Sequence, residues 1–155
     1  MPDSEGPYLT MAVLCERVLQ EHDGVPSLIR VVDRIDLIGP FTVGRDTQPE
    51  GVAQPPPPIA LTLALMIKAG KASGEHKLVV RLRRPDGTSL PDHVVMIELG
   101  GDADERGLNF FVPTLITTRD TGVYWFEIGL DDMLVAKAPL RVEHAQTAPV
   151  TPPQP

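Results

Sequence analysis

Residues 120–143 read DTGVYWFEIGLDDMLVAKAPLRVE, and this stretch decides the fold class. Tyr124, Phe126 and Ile128 alternate with Val123, Trp125 and Glu127, the period of two that a strand shows when one face is buried. Asp131 and Asp132 supply a turn. After it Leu134, Ala136, Leu140 and Val142 alternate with Val135, Lys137 and Arg141, so the stretch reads as a hairpin whose second strand turns those four residues inward. Ahead of the first strand, Asp120-x-Gly122-x-Tyr124 has the form of a tyrosine corner, in which a Tyr entering a central strand returns its hydroxyl to nearby backbone.

Working outward, the same period recurs. Leu9, Met11, Val13 and Cys15 alternate with Thr10, Ala12 and Leu14. Residues 16–24 are either a helical turn or an extension of that strand. Residues 27–38 place Ile29, Val31, Ile35 and Leu37 on one side, and Asp33, which falls on that apolar side, calls for a bulge that rotates it outward. Residues 59–68 give the clearest strand, with Leu61, Leu63, Leu65 and Ile67 facing inward. Strands follow over 77–84, 94–99 and 108–116, where Pro113 denies the ladder a donor and marks an edge or a bulge. About eight strands separated by turn signals predict an all-β, immunoglobulin-like Greek-key β-sandwich.

The 155-residue chain is expected to form one domain over residues 8–144, with a loose N-terminus at 1–7, a long Pro-rich loop at 39–58 and a disordered Pro-rich tail at 145–155. Its 17 Pro and 13 Gly argue against long helices. The net charge of -7 would repel a phosphate backbone or an anionic bilayer, so neither nucleic acid nor a membrane is the expected partner. A single Cys, no leader-like N-terminus and no apolar stretch of spanning length point to the cytoplasm.

Several of these residues also carry a family resemblance. The run from Leu14 to Val18, Asp23-Gly24 before residues 28–35, the Arg84-Pro85-Asp86-Gly87 turn and Gly122-x-Tyr124-x-Phe126 together resemble a bacterial family of unknown function, over roughly residues 8–143. The resemblance implies a small cytoplasmic sandwich with no assigned activity and no catalytic residues. Phe126 stands where an antibody domain has its second disulfide Cys, and Trp125 neighbours the corner Tyr, so kinship with antibody domains proper is not implied.

No catalytic constellation emerges. Cys15 and His22 lack a positioning third group, and a free Cys on a strand reads as a small buried hydrophobe. The four His have no mutual spacing suited to zinc, and no cofactor is expected. Asp102, Asp104 and Glu105, joined by Asp131 or Asp132 if their loops meet, are weak calcium candidates in a Gly-flanked loop.

Lys77, Arg81 and Arg83, with Lys68 and Lys71 before them, form the one basic patch. It reads as a solvated strand face protecting an exposed sheet, or as a dock for an acidic partner. Pleating turns Trp125 outward if Tyr124 and Phe126 face the core, leaving it covered by residues 55–58 or open to another molecule. The expected function is a non-enzymatic interaction or accessory module, docking an unknown protein partner or a second copy through the face bearing Trp125, Arg81 and Arg83. The edge near Pro113 would be open to strand addition. The alternative is a domain binding a small ligand or calcium with loops 39–58 and 100–107 at one end of the sandwich.

Overall fold

Strand-forming alternation organises the whole described chain. The structure is a computed structural model that describes residues 6–39, 55–100, 107–118 and 120–145, and the tail, most of the long loop and the three acidic calcium candidates lie outside those residues. Nine strands form: β1 (Tyr8–Gln20), β2 (Pro26–Val32), β3 (Arg34–Ile38), β4 (Ile59–Lys68), β5 (Gly74–Arg83), β6 (His93–Leu99), β7 (Gly107–Ile116), β8 (Gly122–Leu130) and β9 (Met133–Ala145). They make a four-stranded sheet in the order β2-β1-β4-β7 and a five-stranded sheet in the order β3-β9-β8-β5-β6. Strands distant in sequence are neighbours in space, as in a Greek key. The fold is an all-β, immunoglobulin-like sandwich.

The core lies between the sheets. Leu61, Leu63, Leu65 and Ile67 of β4 face Leu78, Val80 and Leu82 of β5, Tyr124, Phe126 and Ile128 of β8, and Leu140 and Val142 of β9. Each such side chain contributes about 1.5–3 kcal/mol when withdrawn from water.

Three local departures from simple alternation change which residues face outward. Residues 16–20 extend β1 instead of forming a helical turn. A bulge between Leu9 and Met11 puts Leu9, Ala12 and Leu14 on the core side and Met11, Val13 and Cys15 on the outer side, so Leu9 does not share a face with the other three.

Residues 27–38 are two strands, not one bulged strand. β2 pairs antiparallel with β1 in the four-stranded sheet, and β3 pairs parallel with β9 in the other. Asp33 is the crossing point. Its side chain stays exposed, and its carbonyl accepts the Arg141 N–H at 2.7 Å. A segment that passes between facing sheets without changing parity shows opposite sides to the core. Ile29 and Val31 therefore point out, while Ile35 and Leu37 point in.

In the organising hairpin, Asp131 and Asp132 both take positive φ, 48° and 66°, the left-handed pair of a two-residue turn matched to strand twist. The ladder slips between Ile128 and Gly129, pairing Ile128 with Ala136 but Gly129 with Leu134. Val135 is the extra residue, and Leu134 is thereby turned to the outer face instead of the core.

Candidate functional site

The tyrosine corner forms as read. The Tyr124 hydroxyl donates to the Asp120 carbonyl at 3.0 Å, and burial pushes its pKa above the ordinary tyrosine value. Gly122 has φ +129°, and a Cβ there would lie 2.9 Å from Cβ of Pro85, so two separately noted turn motifs pack on each other.

Trp125 emerges on the outer face of the five-stranded sheet, 37% exposed, between Arg83 of β5 and Pro139 of β9. Residues 55–58 lead into β4 of the opposite sheet, and Pro56 among them is buried. Beside Trp125 runs a groove of about 410 Å³. It is lined by Val79, Val94, Gly129, Met133 and Leu134 together with the charged Lys77, Arg81, Arg83, Asp92, Glu127, Asp132 and Lys137. Gly129 makes the depression by having no side chain where its neighbours have one.

The basic patch is neutralised within this face. Arg81 makes a two-pronged pair with Asp92, at 2.7 and 2.6 Å, which holds the Asp92 carboxyl below its usual range. Arg83 reaches Glu127 at 2.9 Å, and Lys137 reaches the same carboxylate at 3.4 Å. Glu127 is 8% exposed and lies flat beneath its two cations. Lys77 pairs with Asp132. Lys68 belongs to β4 in the other sheet and is not part of this face. Nor is β5 an edge that charge must protect, since β8 and β6 flank it. What sequence alone missed is the set of carboxylates brought to these cations by β6, β8 and the hairpin turn.

Asp131 ties the hairpin turn to β5. Its carboxylate accepts from His76 Nδ1 at 2.6 Å and from the Lys77 N–H at 2.9 Å, and these bonds depress its pKa. Both turn aspartates are thus committed to β5 side chains.

The other candidates do not assemble. Cys15 is fully buried, its thiol donates to the Thr62 carbonyl at 3.6 Å, and burial raises its pKa. His22 lies in the exposed turn after β1, about 20 Å further along the chain at a strand's rise per residue. Among the described residues no three of His, Cys, Asp or Glu cluster as metal ligands. Loops 39–58 and 100–107 leave the sandwich at opposite ends: residue 58 precedes the first residue of β4, while Gly107 pairs with its last, Lys68. β7 is an edge strand, with Pro113 opposite Thr62, as the missing donor implied.

A second surface was not read from the sequence at all. The outer face of the four-stranded sheet carries Met11, Val13, Cys15 and Leu19 on β1, Ile29 and Val31 on β2, Ala64 and Met66 on β4, and Phe111, Pro113 and Leu115 on β7. The signal was present in β4, where Ala60, Ala64 and Met66 leave both faces of the strand mostly apolar.

The stretch holding the whole Trp125 groove, residues 52–143, matches a family of unknown function, DUF6941. The chain belongs to that family. The match begins just before β4, so it spans the Arg84-Pro85-Asp86-Gly87 turn and the tyrosine-corner hairpin, while the earlier motifs on β1 and β2 lie outside it. No curated protein matches the chain. Among solved structures it is similar to an immunoglobulin-like protein from Pseudomonas aeruginosa, at 12% identity and TM-score 0.38, covering 88% of this chain and 96% of that one. It is also similar to part of a β-glucosidase from Listeria innocua, at 12% identity and TM-score 0.39, covering 76% of this chain and 15% of the enzyme. A Pseudomonas fluorescens alkylpurine DNA glycosylase bound to DNA is similar at 10% identity and TM-score 0.34, over 85% of this chain and 30% of that one. No activity passes from these proteins to this chain.

Proposed function

We propose that the protein is a non-enzymatic interaction module of the cytoplasm, which docks a protein partner on the outer face of its five-stranded sheet. The observation that carries this reading is Trp125, 37% exposed on a central strand and paired across the ladder with Arg83, which lines a groove of mixed apolar and charged side chains. An apolar centre within a polar rim is the anatomy of a specific interface, and exposed Trp is enriched among the residues that dominate binding energy. Arg81 and Arg83 serve as rim. Because Asp92 and Glu127 already compensate them, the surface suits a segment offering one large apolar side chain flanked by neutral hydrogen-bonding groups, and not a strongly acidic one. The non-enzymatic reading is supported by the buried thiol of Cys15 and by the commitment of His76 to the hairpin turn.

The test is affinity capture on the immobilised full chain from native cytoplasm, followed by titration of the purified captured protein. Trp125→Ala and Leu134→Glu are expected to weaken that binding at least tenfold, and Val25→Ser, in the remote β1–β2 turn, to leave it intact. Equal binding by all forms would remove the docking surface from this face.

A further inference from the structure

The four-stranded sheet's outer face has a shape as well as a composition. Small side chains, Cys15, Thr62 and Ala64, line its middle on β1 and β4, and Cys15 and Ala64 are 0% exposed. Large apolar side chains rise on its flanks: Val31, 57% exposed, on β2, and Leu115, 65% exposed, on β7. The face is a shallow trough between two ridges. At its ladder positions the only charged side chains are Arg17 and Lys68, near opposite ends of the sheet, while Glu16 at the rim is held by Arg30 at 2.8 Å.

We propose that this face joins two copies of the chain in a face-to-face two-fold dimer. Three observations select a second copy as the occupant. The first is charge: at net -7 two chains repel over most of their surfaces, whereas no outward ladder position of this face carries a carboxylate and Glu16 at its rim is paired with Arg30. The second is composition, since the outward ladder positions are mostly apolar on all four strands and a two-fold sets that face against its own copy. Every contact in such an interface occurs twice, as an isologous contact requires. The third is area. Four strands about 4.8 Å apart and about eight residues long give roughly 500 Å² in plan, and relief raises the accessible area toward the roughly 800 Å² per partner of a standard interface. Stacking this face on the five-stranded one instead would bury ion pairs against apolar surface, an unfavourable exchange.

The dimer would leave both Trp125 faces open and pointing apart, so that a partner with two binding segments gains by avidity. The dimer itself does not depend on the Trp125 reading.

Sedimentation equilibrium of the full chain tests it. Wild type is expected at twice the 16.8 kDa chain mass at micromolar concentration. Val31→Arg and Leu115→Arg replace side chains that are exposed in the single chain, so folding should persist, which circular dichroism and melting would verify. Each is expected to weaken the dimer at least about a hundredfold by burying an unpaired charge in an apolar contact. Trp125→Ala is expected to leave the dimer intact. A wild type that stays monomeric up to about 100 µM would overturn the proposal. So would a dimer that survives both arginine substitutions or dissociates with Trp125→Ala.

Discussion

The two outer faces of this sandwich both expose large apolar side chains, yet they differ in how charge is placed among them. On the five-stranded sheet the cations Lys77, Arg81, Arg83 and Lys137 are each met by a carboxylate, and one of those, Glu127, is almost covered by its partners. On the four-stranded sheet the exposed positions include Leu19, Ile29, Val31 and Leu115, and the middle of the face is closed to water although no second layer of the described residues packs on it. A charged sheet face is content with solvent, because its ion pairs are worth little alone and cost little to hydrate. An apolar face of that extent is a standing driving force for association. The two proposed tasks follow this difference: a selective dock at Trp125 on one face, and self-association on the other.

That contrast can be broken most forcefully at its centre. Ala64→Lys is expected to cost about 3 kcal/mol or more, read as a fall in the urea midpoint, because the ammonium would start from a site with no exposure in the middle of an apolar face. Met96→Lys, at an exposed position of the charged face, should fall within about 0.5 kcal/mol of wild type. If the two cost the same, the faces are not different in the sense argued.

Next in size, Tyr124→Phe is expected to lose about 1 kcal/mol, the net worth of its hydroxyl's bond to Asp120, and so calibrates the core beneath both faces. Its titration has a defined sign. The raised pKa gives stability that is present below the unfolded value near pH 10 and is lost as pH rises through the folded one. The Phe variant should lack that alkaline loss.

Glu127→Ala should cost about 1 kcal/mol, because Arg83 and Lys137, each half exposed, can turn to water once their shared carboxylate is gone. A loss above about 3 kcal/mol would mean that the charged face holds the sheet together and does not merely decorate it. The smallest effect belongs to the hairpin turn. The depressed Asp131 pKa gives stability present above the unfolded value near pH 3.9 and lost as pH falls through the folded one. Amide exchange near Lys77 and Asp131 should therefore rise first in acid, and Asp131→Asn should flatten that dependence. Exchange rising first on β1 or β4 would place the acid-sensitive contacts on the wrong sheet.

Much of this was legible in the residues. The hairpin, the Tyr124 corner, the edge position of Pro113 and the outward Trp125 follow from period-two alternation and from what Gly, Pro and Tyr do to a backbone, and these effects act within a few residues. Where the reading went astray, it did so by one residue of register. The bulge at Val135 moved Leu134 outward, the bulge after Leu9 reversed the start of β1, and the sheet change at Asp33 reversed Ile29 and Val31 relative to Ile35 and Leu37. Alternation reports that a strand has two sides; it cannot report which side meets the core once the pairing partner changes.

The sequence by itself determined that this chain is a sandwich with a tyrosine corner, because alternation and turn chemistry are local and each strand carries its own record of them. The tertiary structure alone decided what the two outer faces are. The cations of β5 became an ion-paired rim only when Asp92, Glu127 and Asp132 arrived from β6, β8 and the hairpin turn. The apolar face arose only when β2 and β7, some eighty residues apart, were placed on either side of β1 and β4. Charge compensation and patch size are properties of neighbours in space, and a Greek key draws those neighbours from the far ends of the chain.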